Sequence, residues 1–320
     1  MEFFCVKALV ICFFLWYNYL YYEKLCRGVF IVQKKLKRLD VILVLLIIVL
    51  IVLINYQSSR QDVKPPEISF STKELTVSVK DGKDALLVGV SAVDDQDGDV
   101  SKNLTVENIS DFDEDGTRTV TYAAFDSSKN VSFAERKISY SDYESPRFYL
   151  TGSTTFSSSD SNMNISDIVG ANDVFDGDIS SFIKLNDYDV VVGQSGEYSA
   201  TLSVYNSAGD CSTLKLPIFV EPSTAQKNDM PVITLTNYLI YLKKGQKKPD
   251  WKSYVSSVED SPNNKLRQSE EGSDDDGKTL KVSVQDSQVD LSKEGSYYVT
   301  YQTVNSKDIT GTAKLIVVVE

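Results

Sequence analysis

The sequence predicts an all-β protein, a run of three β-sandwiches that follows one membrane-spanning helix. Three observations carry that prediction. Val41–Ile54 (VILVLLIIVLIVLI) is fourteen consecutive residues without a polar side-chain atom. Everything after it is polar and rich in turn residues, with short alternating apolar runs. Beyond Pro65 the chain also repeats its own landmarks three times at near-constant spacing.

The apolar run comes first. Fourteen residues at 1.5 Å per residue give about 21 Å of helix, and Leu36, Leu39 and Tyr56 extend it toward the ~30 Å of a hydrocarbon core. The expected span is 36–56. Lys34, Lys35, Lys37 and Arg38 crowd its N-terminal flank, against Arg60 and Lys64 on the other side. The positive-inside bias then places 56–320 outside the cytoplasm, as the ectodomain of a single-pass cell-membrane protein. Residues 1–31 allow two readings. Phe3–Tyr22 is apolar but contains Lys7 and Asn18, so it is either a first membrane helix of a two-pass chain or a stretch before a true start at Val32. No small-x-small cleavage site follows Ile54. Residues 57–65 form a stalk, and the expected attachment is N-terminal, because the chain reaches Glu320 within a strand and without a sorting motif.

Charge and composition exclude several functions. Residues 56–320 hold 26 Lys/Arg and 42 Asp/Glu, a net of −16. A phosphate backbone would be repelled, so nucleic acid is not an expected partner. The chain has no histidine. That removes Ser-His-Asp and Cys-His systems, His-ligated zinc and the usual base near neutral pH. Of the four cysteines, Cys5, Cys12 and Cys26 precede the apolar run, leaving Cys211 alone in the exported part with no intrachain disulfide. Small exported domains held by packing alone suit a Gram-positive surface.

The repeats open at Pro66-Glu67-Ile68, Pro146-Arg147-Phe148 and Pro231-Val232-Ile233. Later glycines follow at Gly116, Gly196 and Gly295, which lie 50, 50 and 64 residues from those prolines. The expected domains are 66–142, 146–222 and 231–320, the last lengthened by a polar insertion at 256–280. After each glycine the chain alternates with a period of two: Val120/Tyr122/Ala124, Ala200/Leu202/Val204 and Val299/Tyr301/Thr303. That is the pattern of a half-buried antiparallel strand. A turn and a closing strand follow, clearest in Leu214/Leu216/Ile218/Val220 and Ala313/Leu315/Val317/Val319. Units of this size with short strands and frequent turns read as β-sandwiches.

Gly196-Glu197-Tyr198 and Gly295-Ser296-Tyr297 resemble the corner before strand F of immunoglobulin-like sandwiches, where a tyrosine hydroxyl caps the turn. The first repeat has Arg118 in that place, so the corner is expected twice and absent once. The first two repeats also share Asp94-Asp95-Gln96-Asp97-Gly98-Asp99-Val100 and Asn172-Asp173-Val174-Phe175-Asp176-Gly177-Asp178-Ile179, and in the third Val258-Glu259-Asp260-Ser261-Pro262 replaces this element. With the D-S-x-x-N turn at Asp126–Asn130, these motifs resemble the Ig-like repeats of bacterial surface proteins, related to hyalin-type repeats. The resemblance covers 66–142 and 146–222 well and 231–320 less well. It implies non-catalytic modules that act as spacers or adhesive units on Gram-positive surfaces.

Acidic turns are the candidate metal sites. Asp111, Asp113 and Asp115 match the opening of a calcium loop, but its twelfth position is Tyr122, within a strand. Asp97 with Asp99, and Asp176 with Asp178, flank glycines. Weak calcium binding is one reading of these turns. The other, preferred here, is turn chemistry, with Asp capping and Gly at positive φ. No catalytic or cofactor residue is expected. Trp251 and Tyr254 are expected in core or edge packing rather than as a ligand platform, Cys211 as a small buried hydrophobe aligned with Val131, and 256–280 as either a recognition loop or a disordered excursion. The Asn-x-Ser/Thr sequons at Asn103, Asn108, Asn130 and Asn164 read as turn chemistry in a bacterium. The linkers suggest a semi-rigid rod, with Glu221–Met230 hinging more than Ser141–Ser145. The expected function is a membrane-anchored, non-catalytic spacer or adhesion module that binds a cell-wall or host-surface ligand. A cell-wall hydrolase or an accessory subunit of an envelope complex are the alternatives.

Overall fold

The computed structural model describes residues 33–58, 62–224, 229–260 and 280–320. The readings of 1–31 and of most of the 256–280 loop therefore lie outside the described residues. The described residues fall into two compact units, one comprising 1–65 with 127–130 and the other 66–126 with 131–320.

In the first unit α1 (Gln33–Ser58) is one helix of 26 residues. Its side chains are described from Asp40 to Tyr56. Apart from the partly buried Ile47 and Ile51, its large aliphatics are exposed, from 45% at Leu43 to 59% at Val52. Among the described residues no helix is long and apolar enough to cross a membrane. After the helix, Lys64 N donates to Asp62 Oδ1 at 3.1 Å and Asn130 Nδ2 to the Asp62 carbonyl at 3.2 Å.

The second unit is all-β apart from α2 (Lys83–Leu86) and short 3-10 turns. Its first repeat runs β1 (Glu67–Phe70), β2 (Glu74–Val77), β3 (Val90–Asp94), β4 (Gly98–Asp99), β5 (Thr105–Ile109), β6 (Arg118–Phe125) and β7 (Val131–Tyr140). The second repeat runs β8 (Arg147–Leu150), β9 (Thr155–Ser157), β10 (Val169–Asp173), β11 (Gly177–Asp178), β12 (Lys184–Tyr188), β13 (Gly196–Tyr205) and β14 (Cys211–Glu221). In the third are β15 (Val232–Leu235), β16 (Leu239–Leu242), β17 (Val255–Glu259), β18 (Ser283–Gln285), β19 (Gly295–Val304) and β20 (Thr310–Val319).

Each repeat contributes two sheets. The smaller ones are ordered β1-β3-β4, β8-β10-β11 and β15-β17, and the larger ones β2-β7-β6-β5, β9-β14-β13-β12 and β16-β20-β19-β18. The opening segment of every repeat crosses between them: its first strand pairs antiparallel in the small sheet, and its second pairs parallel with the closing strand. The alternation read from sequence decides which side chains meet between the sheets. Val120, Tyr122 and Ala124 are fully buried, as are Leu216 and Ile218 in the second repeat and Leu315 and Val317 in the third. Tyr122 and Tyr301 each carry a hydroxyl into that interior, and each donates it to a carbonyl, Leu86 O at 2.7 Å and Trp251 O at 2.8 Å. Trp251 is buried, as expected, and its Nε1 donates to Asp286 Oδ2 at 2.6 Å, while Tyr254 packs partly buried against the same core.

The two tyrosine corners are present. Tyr198 Oη donates to Gln194 O at 3.2 Å and Tyr297 Oη to Lys293 O at 3.1 Å. In the first repeat Arg118 Nε donates to Ser110 O at 2.6 Å, eight residues back, and not to the carbonyl four residues back that the tyrosines cap. Cys211 differs from expectation: it is exposed. The alignment with Val131 holds, but that position faces outward in both repeats, and Val131 is also exposed. On β14 the residues that point inward are Leu214, Leu216 and Ile218, and Cys211 has the opposite parity.

The repeats are joined differently. At the first junction Phe112 packs at a tilt against Tyr143 at 4.5 Å, Tyr143 stacks with Phe175 at 5.2 Å, and Phe112 N donates to Ala208 O at 3.0 Å. The second junction is not the loose hinge that the linker length suggests. β14 runs from the Tyr143 end of its repeat to Glu221, where Thr312 Oγ1 donates to the Glu221 carboxylate at 2.8 Å. From there β20 runs back, and Glu320 meets Arg147 at 2.6 Å. The third repeat therefore lies alongside the second with its strands reversed. Ile316 and Leu239, on the outer face of their sheet, belong to the core of the second repeat, and Phe219 meets Tyr298 edge-on at 4.7 Å. The longer linker, of which 225–228 lie outside the described residues, supplies the length for the reversal.

Candidate functional site

The D-G-D motifs of the first two repeats sit on tight hairpins, and turn geometry puts them there. β3 and β4 form a hairpin closed at Asp94↔Gly98, as β10 and β11 do at Asp173↔Gly177. Gly98 and Gly177 take φ of +75° and +72°, the left-handed region that glycine enters without Cβ strain. Asp94 and Asp173 are buried, and each carboxylate receives two turn N–H groups: Gln96 N and Asp97 N at 2.8 Å, and Phe175 N and Asp176 N at 2.8 and 3.1 Å.

All seven sequence-derived calcium candidates are exposed, and most have their oxygens committed locally. Asp99 Oδ1 accepts Ser101 N at 2.9 Å, and Asp178 Oδ1 accepts Ser180 N at 3.0 Å and its hydroxyl at 2.5 Å. Serine hydrogen bonds hold both carboxyls below the usual range. Asp176 accepts Ser207 N at 2.6 Å and Ser207 Oγ at 2.7 Å. Asp115 accepts Thr117 N at 3.0 Å and Lys137 Nζ at 2.9 Å, and Asp113 lies 3.8 Å from the same amine. The Thr117 hydroxyl, then Lys137, depress the Asp115 pKa. Asp97 supplies its own N–H to Asp94, and Asp111 abuts Gly209. The three runs do not converge into a coordination shell of six to eight oxygens, the number calcium takes.

The structure brings together a different set. In the second repeat Asn206 is buried and donates Nδ2 to Asp173 Oδ2 at 3.0 Å and to Tyr143 Oη at 2.8 Å. Its Oδ1 accepts Ala208 N and Asp210 N, and Tyr143 passes its own proton bond to Asp210 at 2.6 Å. Burial, then Asp210, pushes the Tyr143 hydroxyl pKa up. In the third repeat Asn305 occupies the same place: Oδ1 accepts Lys307 N and Ile309 N, and Nδ2 donates to Asp229 O at 3.0 Å. In the first repeat the place belongs to Asp126, whose carboxylate oxygen lies within 4.8 Å of that of Asp94. Asp260, buried at the end of β17, is the third-repeat counterpart of Asp94 and Asp173. The sequence places it in the element Val258–Pro262 that replaces the D-G-D motif, and Val255-Ser256-Ser257-Val258-Glu259-Asp260 repeats Val90-Ser91-Ala92-Val93-Asp94 with one added residue, which coincides with a register shift against β15.

A second feature is a cleft of about 1270 Å³ between the second and third repeats, with Tyr198, Lys215, Tyr241 and Tyr298 among its walls. Its two sides are held by Phe148 N donating to Tyr241 Oη at 3.0 Å and by the Arg147 guanidinium 4.9 Å above the Tyr241 ring. Burial raises the Tyr241 pKa to about 12. Tyr298 Oη donates to Glu197 at 2.8 Å, and the Lys314 amine sits 3.7 Å from the Phe219 ring centroid.

No family model matches the chain, and no curated protein matches it. Among solved structures it is similar to the CBM51-2 and INT domains of Clostridium perfringens ZmpB in complex with GlcNAc, at 18% identity and TM-score 0.20, covering 47% of this chain and 26% of that one. It is also similar to the protocadherin GammaB4 extracellular domain, at 12% identity and TM-score 0.19 over 81% of this chain and 50% of that one. A third is Drosophila N-cadherin EC1-4, at 10% identity and TM-score 0.25 over 78% and 74%. The chain thus spans about a quarter of the first of these and half of the second. At such scores no function follows from the likeness.

Proposed function

We propose that the chain is a non-catalytic surface protein, anchored in a membrane by its N-terminal helix, whose three Ig-like β-sandwiches present a ligand-binding ectodomain. The bacterial surface repeats that its motifs resemble are proteins of this kind. The observation that carries the reading is the docking of the third repeat along the second, which makes one composite surface with a cleft. Three further points support it: each opening segment crosses between two sheets, the chain has no histidine, and the acidic motifs serve as turn caps. The apolar run Val41–Ile54 and its cationic flank support the anchor.

Cys211 provides the test, because it is exposed. In a variant with Cys5, Cys12 and Cys26 replaced by serine, an impermeant maleimide added to intact cells should label Cys211. The protein should also stay with the membrane through carbonate washing. Labelling seen only after permeabilisation, or release by carbonate, would overturn the anchored, outward-facing arrangement.

A further inference from the structure

The cleft between the second and third repeats has walls whose chemistry is specific enough to name a ligand class. Each of its carboxylates is engaged by a cation or a hydrogen-bond donor. Glu144 and Glu320 both reach Arg147, at 3.4 and 2.6 Å. Glu197 accepts the Tyr298 hydroxyl at 2.8 Å, Asp189 accepts Ser199 N at 2.6 Å, and Glu294 lies 3.3 Å from Lys244. Asp189 and Glu197 hold neutral donors, and Lys215 and Lys243 stand on the same walls. What these contacts leave on the walls is hydrogen-bonding capacity, since a carboxylate has about four acceptor sites and a guanidinium five donors.

Half-buried tyrosines 198, 241 and 298 stand among those polar groups. Each offers ring carbon beside a hydroxyl, an amphipathic contact of low conformational cost. Ring faces next to fixed donors and acceptors match a ligand that is apolar on its faces and hydroxylated at its rim. The volume exceeds the roughly 300–1,000 Å³ of sites for drug-sized molecules, which favours an extended ligand over a single ring. A peptide added as a strand is disfavoured, because the Phe148 N–H on the open side of β8 is already given to Tyr241.

We propose that this cleft binds a neutral, hydroxyl-rich oligosaccharide. The proposal rests on the ligand-binding reading above and names its ligand class. Its test is calorimetric titration of the full-length chain in detergent with neutral tetrasaccharides of glucose, galactose and N-acetylglucosamine, and with tetralysine. At least one saccharide should bind saturably, and tetralysine should not. Tyr198→Ala should weaken binding about tenfold. Lys215→Ala, which leaves the tyrosine corner intact, should weaken it about threefold. Phe182→Ala, outside the cleft, should leave it unchanged. Absence of saturation by all three saccharides, saturation by tetralysine, or full affinity in both folded cleft variants would each overturn the proposal. New reducing ends during the titration would overturn the non-catalytic reading and leave the binding site standing, whereas the maleimide labelling tests the anchor independently.

Discussion

Thr303 shows how a single position can be read once its neighbours are known. It occupies the strand place held by Ala124 and Val204, and it is buried to 1% exposure. Its Oγ1 has no hydrogen-bond partner among the described residues. A buried hydroxyl without a partner costs about 1–3 kcal/mol of desolvation, and valine has nearly the same shape. Thr303→Val should therefore stabilise the third repeat by about 1 kcal/mol, read as a higher urea midpoint at unchanged slope. Asn206 and Asn305 are the reverse case, polar side chains buried because every hydrogen-bonding group is matched. Both stand in the turn that the sequence predicts between the alternating strand and the closing strand. That their amides tie the turn to the preceding linker was not legible, because the partners Tyr143 and Asp229 lie 63 and 76 residues away in the chain.

At the scale of elements, hairpins and corners were readable and junctions were not. Strand alternation fixes which face is buried, since a one-residue slip would expose the whole apolar set. Both tyrosine corners formed from local Gly-x-Tyr sequence. The first junction depends on Gly209 as well as on its aromatic rings. Gly209 has φ +80°, and a Cβ built there would lie 2.8 Å from the Asp111 Cβ. Gly209→Val should strain the turn and push the loop carrying Phe112 off Ala208. The expected result is faster proteolysis and hydrogen exchange at 141–145 while the amides of β13 and β14 stay protected. Equal exchange in the variant and the parent would show that the rings alone hold the junction.

For the second unit as a whole, magnitudes decide what keeps the third repeat against the second. The Arg147–Glu320 pair is well exposed on both sides, and such pairs contribute about 0–1 kcal/mol. Phe219 is buried to 2% exposure, with Tyr298 at its edge and Lys314 over its face. Truncating a phenylalanine in such a site costs about 3–5 kcal/mol. Arg147→Ala should leave the two repeats docked, and Phe219→Ala should separate them, seen as a larger radius of gyration in solution scattering. Separation by Arg147→Ala alone would reverse that ranking. The semi-rigid rod expected from linker composition gives way here, because linker length limits reach and says nothing of what the freed domain will pack against.

By itself the sequence determined the apolar helix, the three repeats, their strand faces and their turns. Each of those follows from residue periodicity, backbone conformational preference and contacts between near neighbours. Tertiary structure alone decided that Phe219 of β14 and Ile316 of β20 are buried on the outer faces of their sheets, and that a cleft exists. Outward-facing Phe219, Lys314 and Ile316 look like ordinary surface positions until a second sheet covers them, and no local pattern encodes which sheet that will be.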